Sequence, residues 1–317
     1  MTNVYIVSTP YHLLISIIKT ILSNRIGKDF IIMYTNHLSP ITLKRAELIF
    51  KKSFCYNRMD ILSNLISLKL SQIPFFSHLV RQKYGLNENW YKKNQIFIFN
   101  DNSYFGCLLN TYKIEYNLIE DALNFYRHNP LELNHHSKLY DLLGFHWDYL
   151  SQSKFTKTIE INNTQNLWLK STKIIVCDRE KMFKSLEKKD VEKIAEIFDY
   201  HPLNMPDYNE KTLLLTQPLD EGLMTRSKKI RIYKYLVEKY AIGKLYIKVH
   251  PREKEDYSKI FPEAIILGNQ SIPFEAYQLI ENFKFKRAIT TFSAVIDAIF
   301  CAEEKITMGL EWTKNFK

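Results

Sequence analysis

The opening stretch of the chain, NVYIVSTPYHLLISIIKTIL at residues 3–22, indicates the fold class. Residues 3–7 form a β-branched run typical of a strand, residues 8–10 form a turn, and residues 11–22 form an apolar run of helical length. A strand that leads through a turn into a helix is the repeating unit of α/β folds. Lys19 interrupts the apolar run, and no basic segment or small-residue cleavage site accompanies it, so we predict neither a signal peptide nor a membrane span.

The same alternation of strand-like and helix-like runs continues along the chain. Predicted strands lie at residues 30–34, 95–100, 173–177, 212–216, 245–249, 264–267 and 287–291, and predicted helices at residues 190–198, 227–240, 273–280 and 294–301. This order is typical of parallel sheets covered by helices. The pattern weakens between about residues 130 and 166. We therefore predict an N-terminal domain at residues 1–155 and a C-terminal domain at residues 156–317, with a cleft between them.

Glycine and cysteine usage excludes several common classes of protein. The chain of 317 residues has only 8 glycines, and the closest pairs, Gly85 with Gly106 and Gly222 with Gly243, are too far apart for a G-x-G-x-x-G or Walker loop. A nicotinamide-binding Rossmann enzyme or P-loop NTPase of the usual kind is thereby excluded. The 4 cysteines show no C-x-x-C spacing and lie in or beside apolar runs, so we interpret them as buried thiols in a reducing compartment.

The net charge of +10 indicates an anionic partner, which is nucleic acid, an anionic lipid surface or a phosphorylated substrate. A nucleic-acid-binding module is an alternative interpretation of a basic chain with 20 Tyr, 20 Phe and 4 Trp. Its aromatic residues, however, lie within apolar strands and helices, and its Lys and Arg residues form no long stripe. We therefore expect no nucleic-acid partner.

Two predicted strands of the second half are followed by polar side chains at the carboxyl edge of a sheet, where ligands bind in α/β proteins. His250-Pro251-Arg252 follows the strand at residues 245–249. A histidine there is a candidate general acid, and a loop or capping histidine is an equally good interpretation. Asp220-Glu221 follows the strand at residues 212–216. These carboxylates are candidates for a general base, although a solvated turn is their commoner use.

An acidic pair, Glu120-Asp121, follows a strand-like run at residues 115–118 in the first half. In a two-domain arrangement this pair faces the same cleft, so its carboxylates are further candidates for the base. Their ordinary role is that of acids at a helix N-terminus, where the helix dipole favours them.

Two further segments suit a nucleotide. Thr291-Phe292-Ser293 precedes a predicted helix, where hydroxyl groups and backbone amides bind phosphate without a glycine loop or a metal; a plain N-cap serine is the commoner use. Glu275 lies in the first turn of a predicted helix, where its carboxylate could accept both ribose hydroxyls, and it is also an ordinary helix acid. The order of these residues along one sheet edge predicts a nucleotide-sugar site.

At these residues the chain resembles bacterial sialyltransferases, most closely the lipooligosaccharide and capsule enzymes of glycosyltransferase family 52. The matching points run from Ser8-Thr9-Pro10-Tyr11-His12 through Glu120-Asp121, Asp220, His250-Pro251-Arg252 and residues 272–275 to residues 291–293. The resemblance implies a GT-B fold, in which two Rossmann-like domains face a central cleft. It also implies an inverting, metal-independent transfer from CMP-sialic acid to a terminal galactose or sialic acid.

The resemblance assigns a role to each candidate residue. His250 matches the general acid that donates to the phosphate of the departing CMP, and Asp220 matches the base proposed for the lipooligosaccharide enzyme. In related families the base belongs to an acidic pair followed by glycine, which here is Glu120-Asp121, with Ala122 replacing the glycine. Both assignments stay open, with a preference for Asp220.

The remaining matches concern the nucleotide. Pro251 and Arg252 accompany His250, Glu275 matches the ribose-binding glutamate, and Ser293 matches one serine of a phosphate-binding pair. Phe292 replaces the other serine, so its phosphate contact is lost or moves to Thr291.

The resemblance also sets expectations for cofactors, partners and location. We expect no cofactor and no metal, because CMP carries one phosphate and the chain has no H-E-x-x-H motif. Expected partners are CMP-sialic acid and a glycan or glycolipid acceptor, with a cytoplasmic location and contact with the anionic inner face of the membrane. A homodimer is left open. The alternatives are a GT-B enzyme that uses another nucleotide sugar, a polysialyltransferase and, outside enzymes, a basic nucleic-acid-binding module.

Overall fold

The computed structural model describes residues 1–33, 38–56, 88–121, 153–164, 167, 169, 171–201, 208–268, 272–281, 283–293 and 295–316. The chain divides into two compact units, Met1–Phe198 and Asp199–Lys317. Each unit is built on a parallel sheet with helices between its strands, so the predicted α/β class is confirmed.

Unit 1 contains a seven-stranded parallel sheet in the order β3-β2-β1-β4-β5-β6-β7. Its strands are β1 (Asn3–Val7), β2 (Phe30–Met33), β3 (Lys52–Cys55), β4 (Gln95–Ile98), β5 (Tyr116–Ile119), β6 (Thr156–Ile161) and β7 (Ile174–Val176). Its helices are α1 (Pro10–Leu22), α2 (Pro40–Ala46), α3 (Glu88–Lys92), α4 (Tyr104–Thr111), α5 (Arg179–Lys184) and α6 (Lys188–Ile197).

The predicted first β-turn-α unit forms the centre of this sheet. Strand β1 pairs with β2 on one side and β4 on the other, and its apolar side chains are buried. Helix α1 begins directly after the turn because the Thr9 hydroxyl accepts the His12 N–H and Pro10 occupies the first turn, where a proline costs no hydrogen bond. The buried Ile and Leu side chains of α1 each contribute about 2 kcal/mol by leaving water.

Unit 2 contains a five-stranded parallel sheet in the order β10-β9-β8-β11-β12. Its strands are β8 (Lys211–Leu215), β9 (Lys244–Lys248), β10 (Ile265–Leu267), β11 (Phe285–Thr290) and β12 (Ala302–Thr307). Its helices are α7 (Arg226–Tyr240), α8 (Tyr257–Ile260), α9 (Phe274–Ile280), α10 (Val295–Ala298) and α11 (Leu310–Asn315). Gly243 makes the turn from α7 into β9, where φ is +62° and a Cβ atom would lie 2.1 Å from the Glu210 carbonyl oxygen.

The boundary between the units lies later in the chain than the predicted 155/156. Strand β6 pairs with β5, and β7 pairs with β6, so both strands extend the first sheet rather than open the second. Ile159 and Ile161 of β6 are buried in the core of unit 1, which explains why the segment stays with it. Residues 130–152, which form most of the stretch where the sequence pattern weakens, lie outside the described part of the chain.

Two smaller expectations also change. The predicted helix at 294–301 is a single turn, α10, because the chain enters β12 at Ala302. Of the 4 cysteines only Cys107 is buried, and Cys55 is exposed in the edge strand β3. Within the described ranges, no helix is both long enough and apolar enough to cross a lipid bilayer.

Candidate functional site

The acidic pair of unit 1 follows β5, and its two carboxylates have different surroundings. Glu120 is buried, and its carboxylate accepts a hydrogen bond from the backbone N–H of Asn162 after β6. Asp121 keeps 23% of its side chain exposed, and its Oδ1 lies 3.0 Å from Nε2 of His12. Of the predicted pair, Asp121 is therefore the residue whose carboxylate is open to a ligand.

His12, in the first turn of α1, is a buried side chain at the same sheet edge. Its Nδ1 accepts a hydrogen bond from the Ser8 backbone N–H at 3.2 Å, and its ring stacks on Phe99 with the ring centroids 4.3 Å apart. In the sequence, His12 is distinguished only as part of the family resemblance. The signal that could have identified it is its position in the first turn of the helix that follows the first strand.

A hollow of about 710 Å³, called the polar hollow below, lies at the carboxyl ends of β6 and β7. Its polar lining residues are Asn162, Asn163, Thr164, Asp178, Lys181 and Ser185, and the apolar part of its lining comes from Val176, Cys177 and Met182. Asn162 also donates its backbone N–H to Glu120, so the hollow and the acidic pair are directly linked. Amide, hydroxyl, carboxylate and ammonium groups together suit a sugar ring with several hydroxyls.

In unit 2, Asp220 lies in the turn after β8 and is ion-paired. Its Oδ1 accepts a hydrogen bond from the Lys229 ammonium at 2.8 Å. Burial raises the pKa of the Asp220 carboxyl, but the hydrogen bond and charge of Lys229, a backbone hydrogen bond and the charge of Lys254 together outweigh burial and hold the pKa below its ordinary value. The carboxylate thus stays ionised with much of its charge already compensated.

Lys229 is fully buried in α7 and joins two loops. Besides Asp220, its ammonium contacts Glu253 Oε1 at 2.5 Å, and Glu253 also accepts a hydrogen bond from the Tyr257 hydroxyl. Lys229 is not among the site residues predicted from the sequence. Its spacing from Ile232, Tyr233 and Leu236 places it on the apolar face of α7, and a lysine on such a face is a signal of a buried ion pair.

His250 lies at the carboxyl end of β9, as predicted. Its backbone N–H donates to Thr216 Oγ1 at 3.0 Å, and its Nδ1 accepts the Arg252 backbone N–H at 3.1 Å. Because Nδ1 is an acceptor, the proton of the neutral ring is on Nε2. Burial, with the positive charges of Arg252 and Lys248, lowers the pKa of His250 to about 4. At neutral pH the ring is therefore uncharged and presents a hydrogen-bond donor.

Glu275 is almost completely buried in the first turn of α9, with 4% of its surface exposed. Burial raises the pKa of its carboxyl to about 7, against the opposing effects of a backbone hydrogen bond and of the charge of Lys248. Lys248, the last residue of β9, lies with its Nζ 5.2 Å from the ring centroid of Tyr277, and burial lowers its pKa to about 8. Glu275 is thus a less accessible group than the sequence suggested, and Lys248 is a neighbour that the sequence analysis missed.

The segment Thr291-Phe292-Ser293 follows β11. Thr291 and Ser293 are buried, and the Ser293 backbone N–H donates to Thr290 Oγ1 at 3.2 Å. Because α10 has only one turn, its dipole contributes less to phosphate binding than the predicted longer helix would.

The topology brings the candidates of unit 2 to one edge. Strand β8 pairs with β9 on one side and with β11 on the other, so Asp220, His250 and Ser293 follow three adjacent strand ends. Glu120 and Asp121 lie at the corresponding edge of the sheet in unit 1.

Comparisons with known proteins agree with this architecture. The model of the family described as glycosyltransferase family 52 matches residues 53–308. An uncharacterized protein of Haemophilus influenzae is 29% identical over 246 residues, which are 76% of either chain. A sialyltransferase from Photobacterium damsela is similar in structure with a TM-score of 0.50 and 11% identity, over 96% of this chain and 74% of that one.

A second similar structure is the UDP-GlcNAc 2-epimerase from Neisseria meningitidis bound to UDP-GlcNAc. It has a TM-score of 0.50 and 14% identity, over 93% of this chain and 79% of that one. At these identities the two structures bear on the fold alone. Together with the two parallel sheets, they establish the expected GT-B fold class.

Proposed function

This chain belongs to glycosyltransferase family 52 and is a glycosyltransferase, and on that basis we propose that it transfers sialic acid from CMP-sialic acid. The acceptor in this proposal is a terminal galactose or sialic acid of a bacterial surface glycan, such as a lipooligosaccharide or capsule. The transfer inverts the configuration of the anomeric carbon and needs no metal.

The observation that carries the proposal is the state of His250. Its Nδ1 is occupied by the Arg252 N–H, and its Nε2 therefore holds a proton at the carboxyl edge of the sheet in unit 2. As the bond from the anomeric carbon to the phosphate oxygen breaks, negative charge develops on CMP. A hydrogen-bond donor already aimed by the backbone stabilises that charge.

The acceptor hydroxyl must lose its proton as its oxygen bonds to the anomeric carbon. Asp121 and Asp220 are the two candidates for that base, and we assign the role to Asp121. The carboxylate of Asp220 is ion-paired with a buried ammonium, which weakens its affinity for a proton. Among the described residues, the hydrogen bond that Asp121 makes is with the neutral ring of His12. Its neighbour Glu120 is joined through Asn162 to the polar hollow of unit 1, where the acceptor sugar would bind.

The nucleotide part of CMP-sialic acid would bind in unit 2. Glu275, in its ionised form, is suited to accept hydrogen bonds from the ribose hydroxyls, and Lys248 beside it adds a positive charge. Pro251 and Arg252 shape the loop around His250, while Thr291 and Ser293 offer hydroxyl groups to the phosphate, with Phe292 between them. One phosphate carries little charge, so these groups can serve without a divalent ion.

We also propose where the reaction takes place. A cytoplasmic enzyme with a net charge of +10 is attracted to the anionic inner face of the membrane, where lipid-linked acceptors are assembled. Binding to vesicles that contain anionic lipid, and its loss at high salt, would test this part of the proposal.

The experiment that tests the function is turnover of CMP-sialic acid by purified protein in EDTA, with and without lactose or N-acetyllactosamine. Release of CMP that increases with the acceptor would support the donor, the reaction class and metal independence together. If CMP-sialic acid neither turns over nor raises the melting temperature, while another nucleotide sugar does both, the donor assignment fails.

A further inference from the structure

We infer that His12 is a positioning residue of the proposed reaction, which orients the carboxylate of Asp121 toward the acceptor hydroxyl. The inference rests on the proposed function, in which Asp121 is the base. The contacts of His12 support the inference. They fix the orientation of its ring, the nitrogen that carries its proton and the carboxylate that accepts the hydrogen bond from that nitrogen.

The ring of His12 is held on several sides. Its Nδ1 lies 3.2 Å from the Ser8 backbone nitrogen and 3.1 Å from the Ser8 hydroxyl. One face stacks on Phe99 at an interplanar angle of 8°. The backbone N–H of His12 donates to the Thr9 hydroxyl at 3.2 Å, which fixes the start of α1. The side chain is 1% exposed, so it has little freedom to turn.

The contact with Ser8 also decides which nitrogen carries the proton. A backbone N–H can only donate, so Nδ1 must accept and the ring proton must be on Nε2. That proton points to Asp121 Oδ1, 3.0 Å away. The hydrogen bond therefore runs from a neutral imidazole to a carboxylate, which makes it charge-assisted.

His12 cannot act on a substrate directly, because both ring nitrogens are engaged and the side chain is buried. Asp121 is more exposed, and among the described residues its Oδ2 has no hydrogen-bond partner. One carboxylate oxygen is thus fixed by His12, and the other is left for the acceptor hydroxyl. Any effect of His12 on the reaction must pass through Asp121.

The contact connects segments that are far apart in the sequence and adjacent in the sheet. His12 follows β1, Phe99 follows β4 and Asp121 follows β5, and these strands are adjacent in the order β1-β4-β5. Three strand ends therefore hold the carboxylate in place. A base whose orientation is set before the acceptor binds avoids reorganisation during the reaction.

The test compares three variants and one double variant. His12→Gln keeps an N–H donor close to the position of Nε2, whereas His12→Met has a similar length and no donor. Asp121→Asn removes the base. Transfer rates are measured with saturating donor and varied acceptor, together with donor affinity and melting temperature.

We expect His12→Met to lower kcat by about 10–100-fold with unchanged donor affinity, and His12→Gln to stay within about 5-fold of the parent protein. In the Asp121→Asn background, His12→Met should change the residual rate by less than about 3-fold, because the interaction is already lost. Equal losses in His12→Gln and His12→Met, or an undiminished effect in the Asp121→Asn background, would overturn the inference.

These outcomes are separate from a failure of the proposed function. If the parent protein uses a different nucleotide sugar, the donor assignment fails and the same variants are compared with that donor. The ¹⁵N shifts of the His12 ring give a readout that needs no turnover. A proton on Nε2 supports the inference, and a proton on Nδ1 contradicts it.

Discussion

The Lys229 ammonium lies 2.8 Å from the Asp220 carboxylate although the lysine side chain has no exposed surface. The same ammonium contacts Glu253, three residues after His250, so one buried cation connects the turn after β8 with the loop after β9. The ion pairs of Lys229 therefore hold the turn that contains Asp220 close to the loop that contains His250. They also determine the charge available on Asp220.

Replacing Lys229 should destabilise unit 2. Lys229→Met leaves the carboxylate of Glu253 buried without its cation, which we expect to cost about 3–5 kcal/mol of the free energy of unfolding. The measurement is urea unfolding of the full chain. Lys234→Met, at an exposed position of the same helix, is the matched control and should change the stability by less than about 0.5 kcal/mol. Similar losses in both variants would show that the buried ion pair contributes nothing specific.

Asp121 and Asp220 should differ in their kinetic roles. Asp121→Asn removes the proposed base, so kcat should fall by about 10²–10⁴-fold with donor affinity unchanged. Asp220→Asn should lower the melting temperature by loss of its ion pair with Lys229 and reduce kcat by less than about 10-fold. The assay is acceptor-dependent CMP release with both variants side by side. The reverse order of the two kcat losses would assign the base to Asp220.

His250 should be required for turnover and should destabilise the protein in mild acid. His250→Ala should lower kcat by about 10²–10⁴-fold, whereas His201→Ala, at an exposed histidine, should have no effect. Because burial lowers the pKa of His250 from 6.5 to about 4, the unfolded chain binds a proton in that interval and the folded chain does not. Its contribution to stability is therefore complete above pH 6.5 and decreases as the pH falls toward 4.

The predicted loss of stability in acid is tested by measuring the free energy of unfolding of His250→Gln and of the parent protein at pH 7 and pH 4.5. The parent should lose about 1–2 kcal/mol relative to the variant over this interval, a value reduced for the partial exposure of the ring. A difference that stays constant with pH would show that folding does not lower the pKa of His250.

Glu275 should combine a binding role with a stability cost. Burial raises its pKa from 4.5 to about 7, so the unfolded chain releases the proton in that interval and the folded chain retains it. The stability that the protonated Glu275 side chain contributes is fully present below pH 4.5 and is lost as the pH rises through 7. Glu275→Gln should therefore gain stability over the parent by about 2–3 kcal/mol between these limits, while CMP affinity falls about 10-fold or more.

Calorimetric titration with CMP and thermal unfolding at pH 4.5 and pH 8 check the two effects of Glu275→Gln. Glu263→Gln, at an exposed position of the same unit, is the control and should change neither quantity. Unchanged CMP affinity in Glu275→Gln would remove this residue from the nucleotide site.

The polar hollow of unit 1 should affect the acceptor and not the donor. Ser185 lines the hollow from the end of α5, and Ser185→Trp would fill part of it. We expect the acceptor KM to rise about 10-fold with the donor KM unchanged. Lys184→Trp, at the neighbouring exposed position outside the lining, is the control. An equal increase in both variants, or none, would place the acceptor elsewhere.

Local patterns in the sequence determined the fold class and the placement of the candidate residues at the carboxyl ends of strands. Alternating apolar runs depend on contacts between near neighbours, and the polar segments after them lie where parallel strands end. The positions of His250 after β9 and Glu120-Asp121 after β5 follow from this rule alone.

The tertiary structure decided the environment of each side chain. His12 meets Asp121 across 109 positions of sequence, and Lys229 meets Glu253 across a neighbouring loop. Burial gives Glu275 and His250 pKa values far from their ordinary ones. Charge compensation and loss of water depend on which groups packing brings together in space, and the spacing of residues along the chain does not contain that information.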